Sequence, residues 1–150
     1  YRYVAEDKGV QLSLTTEQPC PLFADSIRIR QVLGNLVDNA IKYTAEGGEV
    51  ELNVKDHPDH VQIDVRDSGI GISGTDQSHM FERLYRADQS RGEPGMGLGL
   101  SLVKAIIQAH QGQIQVDSSV GQGSCFSVAL PKQTSTNQTL STAEPHPKRA

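Results

Sequence analysis

The group best suited to chemistry in this chain is an aspartate followed by two glycines, in Asp67-Ser68-Gly69-Ile70-Gly71. Apolar and polar residues alternate over positions 61–66, as in a half-buried strand. If the alternation continues, the side chain of Asp67 lies on the same, core-facing side of the strand as the apolar residues. A carboxylate turned into a core is costly unless strong donors meet it. The two glycines would let the backbone approach a flat ligand closely, although an aspartate that only caps a turn has the same spacing.

A long amphipathic helix is predicted over Asp25–Tyr43, because apolar residues recur at helical spacing and Asp25-Ser26 supplies an N-cap signal. Asparagine is a mediocre helix former, so two asparagines on one face in mid-helix invite a functional reason, although a solvated face would look the same. An amide oxygen together with phosphate oxygens suits Mg²⁺. The polar row at helical spacing consists of Asn35, Asp38, Asn39 and Lys42.

A glycine cluster, Gly95-Met96-Gly97-Leu98-Gly99-Leu100, comes directly before another predicted helix. The unpaired amide hydrogens of a glycine-rich helix start suit phosphate oxygens, although flexible loops are glycine-rich too. The spacing matches neither the P-loop nor the G-x-G-x-x-G fingerprint, and the H-R-D and D-F-G motifs are missing. The three segments together predict a pocket for a purine, a string of phosphates and a divalent metal.

Four motifs follow one another in an order that resembles the catalytic, ATP-binding domain of two-component sensor histidine kinases. They correspond to that family's N box, first glycine box, F box and second glycine box, and the resemblance runs from about the start of the chain to Pro131. The wider GHKL superfamily also holds type II topoisomerases, heat-shock chaperones and mismatch-repair ATPases, and the F box favours the histidine kinases among them. The motifs are Gln31–Thr44, Asp67–Gly71, Phe81-Glu82-Arg83-Leu84-Tyr85-Arg86 and Gly95–Gly99.

The resemblance implies a role for several residues at the purine end of the pocket. Asp67 would accept a hydrogen bond from the exocyclic amine of adenine, and Tyr43 would pack on the adenine or the ribose. Ser124 stands where the superfamily often places a threonine whose hydroxyl joins the aspartate and a water around adenine. Independently of the resemblance, the alternation of apolar residues over positions 124–130 predicts that Ser124 faces inward.

The resemblance also implies roles at the phosphate end. Asn39 would bind Mg²⁺, with Asn35 beside it near the phosphates. Arg86 would meet the γ-phosphate. The implied catalytic residues are Asn35, Lys42 and Arg86. The implied ATP-binding residues are Asn35, Asn39, Lys42, Tyr43, Asp67, Gly69, Gly71, Ile72, Arg86, Gly95, Gly97, Leu98, Gly99, Leu100 and Ser124.

Three positions depart from the family pattern, and none of them has an implied chemical role. Leu84 stands where the family usually has phenylalanine, Gln111 where glycine is common, and Ser73 where proline is common.

The predicted fold is α+β, a two-layer α/β sandwich in which a mixed, mostly antiparallel sheet packs on about three helices, with a long ATP lid over 73–94. The catalytic domain is expected over residues 1–131, followed by a disordered tail over 132–150 that is rich in polar residues. Strands are expected at 10–14, 22–24, 49–55, 61–66, 113–117 and 124–130. Helices are expected at 1–8, 25–43, 98–110 and, as a short element, near 77–84.

Composition agrees with one domain that does not bind nucleic acid, because the net charge is −4 and no basic stripe is present apart from the short Lys148-Arg149 end. Cys20 and Cys125 suggest no disulfide framework, so we expect a reduced, cytoplasmic setting, in a domain cut from an inner-membrane sensor protein. The chain starts with Tyr1, shows no signal peptide and has no stretch that approaches the length of a membrane span.

The resemblance implies that the domain donates the γ-phosphoryl group of ATP to a histidine on a separate helical dimerisation domain, for relay to the receiver domain of a response regulator. None of its histidines stands in the family's acceptor motif, so the chain alone is not expected to autophosphorylate. We expect this domain to be monomeric by itself and the full protein to be a homodimer. A serine kinase of the same superfamily, an ATP-driven clamp and a partner-binding module without nucleotide stay open as alternatives. The histidines are His57, His60, His79, His110 and His146.

Overall fold

The computed structural model describes residues 1–16, 19–85 and 97–132. The elements of this part of the chain are α1 (Arg2–Asp7), β1 (Gln11–Thr16), α2 (Ser26–Tyr43), β2 (Glu49–Asp56), β3 (His60–Asp67), α3 (Gly74–His79), α4 (Gly99–Ala109), β4 (Gln113–Ser118) and β5 (Ser124–Pro131). Arg86, Gly95 and most of the predicted tail lie outside the described residues.

Within the described residues, one five-stranded sheet has the order β1-β2-β3-β5-β4. The β1–β2 pair is parallel and the other three pairs are antiparallel. One face of the sheet packs on α2 and α4, and its opposite face carries polar side chains. This arrangement is the mixed, mostly antiparallel α/β sandwich that the sequence predicted.

The core lies between the sheet and the two longer helices, and it forms because apolar residues alternate on the strands and recur at helical spacing on the helices. Val65 and Val128 on the central strands and Ile107 on α4 are fully buried. The order of the sheet brings the last residue of β3 next to the first residue of β5, since Asp67 and Ser124 are paired in register.

Helix α2 begins and ends at identifiable caps. The Asp25 carboxylate accepts hydrogen bonds from the amides of Ile27 and Arg28 at 3.0 and 3.1 Å, and this is the N-cap that the sequence predicted. At the other end, the Lys8 ammonium group donates to the carbonyl oxygens of Ile41, at 2.9 Å, and Lys42. A cation at a helix C-terminus stabilises the last carbonyls, so Lys8 fixes the turn of α2 that carries Lys42.

The strand predicted at 22–24 is wrong, because this segment pairs with no described strand. Pro21 lacks the amide hydrogen that a strand ladder needs, and Phe23 is 79 % exposed. The segment is a connection that leads into α2.

The short helix predicted near 77–84 lies earlier in the chain, as α3. Its start is set by Ser73, whose hydroxyl oxygen accepts a hydrogen bond from the Asp76 amide at 3.1 Å. Lys132, where the predicted tail begins, forms an ion pair with Asp56 at 2.6 Å. In the described part of the chain, no helix is both long and apolar enough to span a bilayer.

Candidate functional site

The Asp67 carboxylate is turned inward at the end of β3, as its parity predicted, and the residue is only 7 % exposed. Its Oδ1 atom accepts a hydrogen bond from the Gly69 amide at 2.9 Å. Ser124, which is paired with Asp67 across the sheet, is the other polar residue near this carboxylate. Asp67 is therefore a buried acceptor in a small polar group at one end of the sheet.

Burial raises the pKa of Asp67 above its ordinary value, because the ionised carboxylate has lost much of its water. The hydrogen bonds from Gly69 and Ser124 act in the opposite direction and lower this pKa, but they do not cancel the effect of burial. A buried carboxylate without a counter-ion is costly to the fold. Such a group is expected where a ligand supplies the missing donors.

The glycines after Asp67 are required by close packing on both sides of the loop. A Cβ atom on Gly69 would lie 2.4 Å from the carbonyl oxygen of Tyr43, which also accepts a hydrogen bond from the Ile70 amide at 3.2 Å. Gly71 has a φ of +70°, and a Cβ atom there would lie 2.0 Å from the carbonyl oxygen of Ser119. The loop is thus held between the C-terminus of α2 and the β4–β5 connection.

Two residues of this end of the site were not found by sequence reasoning. The Ser118 hydroxyl accepts a hydrogen bond from the Ile72 amide at 2.8 Å and lies 3.0 Å from the Ser124 hydroxyl. The side chain of Gln77, on α3, donates to the carbonyl oxygens of Ile72 and Ser118 at 2.8 and 3.0 Å. The alternation of residues along β4 places Ser118 on the core-facing side and could have indicated it. No local pattern could have indicated Gln77.

The phosphate end predicted from the sequence is formed where α2 meets α4. The Asn35 side chain donates to the carbonyl oxygen of Gln31 at 2.8 Å, which fixes its rotation. Its Oδ1 atom lies against Gly99, because a Cβ atom on Gly99 would be 2.8 Å away. The N box and the second glycine box are therefore in direct contact.

Within the described part of the chain, no side chain caps the N-terminus of α4, whereas those of α2 and α3 are capped by Asp25 and Ser73. Leu98 stands at the N-cap position, and its aliphatic side chain cannot accept a hydrogen bond. The amides at this helix start, from Gly99 and Leu100 onward, are left available for an anion, which the helix dipole also favours. Gly97, with a φ of +67°, turns the chain into the helix.

The remaining implied residues of α2 follow Asn35 along the same side of the helix. Asn39 is half-buried one turn further along. The Lys42 ammonium group lies 5.2 Å from the centroid of the Tyr43 ring, a cation–π distance. Within the described residues, no group of three or more histidine, cysteine, aspartate or glutamate side chains could hold a metal ion. A metal at this site would depend on amide and phosphate oxygens.

The Asp67 end of the sheet also borders a cavity of about 340 Å³. Most of its charged lining lies on the sheet face opposite the helices, where Glu51 and Arg66 are directly paired. Asp67, Ser118 and Ser124 also line this cavity, so it adjoins the polar group around the Asp67 carboxylate.

Comparison with known proteins gives a family match over residues 24–134, to the family described as histidine kinase-, DNA gyrase B-, and HSP90-like ATPase. The matched range contains every residue with an implied role. It also covers α2, β2–β5 and α4, which are the elements that position the site.

Among curated proteins, the chain is 46 % identical over 133 residues to the adaptive-response sensory kinase SasA of Crocosphaera subtropica, with 87 % of this chain and 35 % of that protein covered. The chain thus spans about a third of the length of this relative. Among solved structures, the mycobacterial sensor histidine kinase MprB is 29 % identical with a TM-score of 0.77, covering 87 % of this chain and 89 % of that one. A structure of full-length ShkA in complex with AMPPNP is 32 % identical with a TM-score of 0.76, covering 86 % of this chain and 27 % of that one.

Proposed function

Because the chain belongs to the family of histidine kinase-, DNA gyrase B- and HSP90-like ATPases and is a catalytic domain of the sensor histidine kinase type, we propose that it binds Mg-ATP and donates the γ-phosphoryl group to a histidine of another domain. The observation that carries this proposal is the buried carboxylate of Asp67 beside the tightly packed loop of Gly69 and Gly71. The relation to ShkA, whose structure contains AMPPNP, an analogue of ATP, supports it.

Asp67 selects adenine in this proposal. The exocyclic amine of adenine is a donor, and it adds a hydrogen bond to a carboxylate that already accepts one from the Gly69 amide. Tyr43 packs on the adenine or ribose, from the last turn of α2. Nucleotide binding thus compensates for part of the free energy lost when the carboxylate is buried.

The phosphates are held between α2 and α4. At the start of α4, the uncapped amides donate to the phosphate oxygens, and the positive end of the helix dipole favours their negative charge. Asn35, locked by its hydrogen bond to Gln31 and by contact with Gly99, lies at the same junction. Lys42 supplies a positive charge on the same helix. Arg86 and Gly95 keep their predicted roles, toward the γ-phosphate and in lining the triphosphate.

Mg²⁺ fits the donor set of this site. Hard cations take oxygen ligands, and Mg²⁺ keeps several waters and uses few protein groups when phosphates are present. The half-buried amide of Asn39 provides one such oxygen one turn beyond Asn35. When bound, the ion neutralises charge on the phosphates. The residues of this chain orient the nucleotide for transfer, which in phosphoryl-transfer enzymes is mostly a matter of positioning.

The acceptor histidine lies on another domain in this proposal, because the described histidines of this chain have structural surroundings. His110 donates from Nδ1 to the Ile106 carbonyl oxygen at 2.8 Å, and its Nε2 atom accepts from the Asp25 amide at 3.2 Å. His57 and His60 stack on each other at the β2–β3 turn. His79 lies 2.8 Å from the Glu82 carboxylate.

The wider setting belongs to the same proposal. The parent protein would be a homodimer that carries the helical phosphoacceptor domain and passes the phosphoryl group to the receiver domain of a response regulator. The cytoplasmic location and the inner-membrane parent stay predictions from the sequence. The short span of this chain relative to SasA of Crocosphaera subtropica leaves room for such domains.

The proposal is tested by nucleotide binding and by transfer. We expect titration calorimetry to detect ATP binding in the presence of Mg²⁺, and Asp67→Ala to lose about 1–3 kcal/mol of binding free energy. Asp64→Ala is the matched control, because Asp64 lies on the same strand with its side chain on the opposite face. Equal affinities for the wild type and Asp67→Ala, with the fold intact, would remove the adenine role.

For transfer, the chain is incubated with γ-labelled ATP alone and together with the phosphoacceptor domain of its parent. We expect acid-labile label on the acceptor domain only. Label on the chain itself would contradict the proposal, and acid-stable label on a partner's serine would favour a serine kinase.

A further inference from the structure

The carboxylate of Asp76, on α3, accepts one hydrogen bond on each of its oxygens. The Tyr85 hydroxyl donates to Oδ1 at 2.7 Å, and the Ser73 hydroxyl donates to Oδ2 at 2.7 Å. These bonds from Ser73 and Tyr85 hold the pKa of Asp76 below its ordinary value, because they favour the ionised carboxylate. Since Tyr85 belongs to the F box, Asp76 joins this motif to the start of α3.

The F box also contacts α4 and the residues that lead into it. The Lys104 ammonium group, on α4, lies 5.4 Å from the centroid of the Phe81 ring. At the other end of the motif, the Leu84 amide donates to the carbonyl oxygen of Gly97 at 3.0 Å. Gly97 and Leu98 come directly before the uncapped start of α4. One backbone hydrogen bond therefore ties the F box to the segment whose amides are available for phosphate oxygens.

The backbone of Leu84 has a conformation that its neighbours must hold in place. Its φ is +64°, in the left-handed region that a bulky side chain rarely adopts. Leu84 is 70 % exposed, so packing of its own side chain does little to fix this turn. Such a conformation persists where the surrounding structure determines it. Here the turn is fixed by the Gly97 carbonyl on the Leu84 amide and by the Asp76 carboxylate on the next residue, Tyr85.

We propose that Asp76 is a positioning residue for the phosphate end of the site and that it acts through Tyr85. This inference rests on the proposed function, and it concerns a residue outside the four motifs. The bond from Tyr85 holds the Leu84 turn, and the turn holds Gly97. Gly97 has a φ of +67°, and a glycine has wide conformational freedom unless it is held. Fixing it in advance lowers the entropy that phosphate binding at the start of α4 must cost.

Two variants remove the bond from opposite sides. Tyr85→Phe removes only the donor hydroxyl, and Asp76→Ala removes the acceptor. We expect each to lower the affinity for ATP and for inorganic triphosphate by about tenfold, the size of one hydrogen bond to a charged group. The factor should be the same for both ligands, because the change lies at the phosphate end. The double variant should lose no more than either single variant, since both remove one interaction.

A conservative variant and a control accompany these changes. Asp76→Asn keeps an oxygen that can accept from Tyr85 and turns its amide group toward the Ser73 oxygen, so it should retain most of the affinity. Ser78→Ala is the matched control, because the Ser78 hydroxyl bonds only to backbone of α3, at Thr75 and Gly74, among the described residues.

The experiment is calorimetric titration of the wild type and the variants with ATP and with inorganic triphosphate, each with Mg²⁺. Thermal unfolding without ligand checks that each variant is folded. If Asp76→Ala does not fold, because Ser73 at the helix start also loses its partner, Tyr85→Phe and Asp76→Asn still test the bond.

The outcomes separate this inference from the proposed function. A wild type that binds neither ligand overturns the proposed function. A wild type that binds ATP but not triphosphate lacks the separate phosphate end that the inference needs. A Tyr85→Phe variant with a lower melting temperature but unchanged affinity means that the bond only supports the fold, and the inference fails. Losses that add in the double variant, or that triphosphate does not share, overturn it as well. A shared loss that Asp76→Asn avoids supports it.

Discussion

Asn35 on α2 and Gly99 at the first position of α4 lie in direct contact, so that a Cβ atom on Gly99 would be 2.8 Å from the Asn35 Oδ1 atom. A contact this short leaves no space for a methyl group. The glycine therefore allows the uncapped start of α4 to approach the asparagine helix, and the two elements of the phosphate end are formed by one contact.

Gly99→Ala should weaken nucleotide binding by about tenfold while the fold persists, because the new methyl group pushes the Asn35 side chain or the start of α4 away from its position. The effect should be similar for ATP and ADP with Mg²⁺, since the contact lies away from Asp67. Titration of the purified variant measures the change.

Gly74→Ala is the control for this prediction. Gly74 is also the first residue of a helix, but a Cβ atom there would have no neighbour within 4 Å. If both alanine variants bind nucleotide as the wild type does, the Asn35–Gly99 contact has no role in binding.

Asp67→Asn should abolish most ATP binding and yet raise the melting temperature at neutral pH. The pKa of Asp67 is raised in the folded protein by burial, so its ionisation disfavours folding at a pH above that raised pKa. The neutral amide removes this cost and places a donor where adenine also has one. Thermal unfolding without nucleotide, combined with titration, checks both effects.

The sign of this stability change depends on pH. A raised pKa contributes stability below the unfolded value, 3.8, and this contribution is lost as the pH rises through the folded value. The gain from Asp67→Asn should therefore shrink as the pH falls toward 4. Asp64→Asn should show no such gain, and an Asp67→Asn variant that is less stable at pH 7 would contradict the argument.

Nucleotide affinity of the wild type should fall as the pH is lowered below neutral, and the fall should begin at a higher pH than an ordinary aspartate would give. Protonation turns the Asp67 carboxylate from an acceptor into a group that also carries a donor, which opposes the amine of adenine. Titrations with ATP between pH 7 and 4 measure this. Inorganic triphosphate, which lacks the base, controls for protonation of the phosphates, and equal pH profiles for both ligands would exclude Asp67 as the cause.

Asn39→Ala should weaken ATP binding in the presence of Mg²⁺ more than in its absence, because the amide oxygen is proposed as a metal ligand. Arg30→Ala, at an exposed position of the same helix, controls for changes in helix stability. Equal losses with and without Mg²⁺ would indicate damage to α2 and would exclude a metal role for Asn39.

Gln111→Gly should stabilise the fold by about 0.5–1 kcal/mol, because Gln111 has a φ of +58° after the end of α4. The Gln111 and Gly112 amides donate to the carbonyl oxygens of Gln108 and Ile107, at 2.9 Å each, and glycine is the usual residue at this point of such a helix end. Gln108→Gly, the same change inside α4, should destabilise by about 1 kcal/mol. Chemical denaturation measures the free energy of unfolding of both variants. If both substitutions change it in the same direction, the prediction is wrong.

The sequence by itself determined the features that depend on local periodicity. The inward turn of Asp67 follows from a period of two along β3, and the common face of Asn35 and Asn39 follows from the helical period. The N-cap at Asp25 is likewise local chemistry. The motif order and the family resemblance were also present in the sequence, since they need no distance between segments.

Only the tertiary structure decided which distant segments meet. The packing of Gly69 on the Tyr43 carbonyl and of Gly99 on Asn35 depends on how α2, α4 and the loop are placed on the sheet. The bonds of Ser118 and Gln77 with Ile72 depend on the register of β4 with β5 and on the position of α3. These contacts join residues far apart in the chain, so no local period encodes them. For the same reason the strand predicted at 22–24 was wrong: its apolar residues suit a strand, but the segment pairs with no described strand.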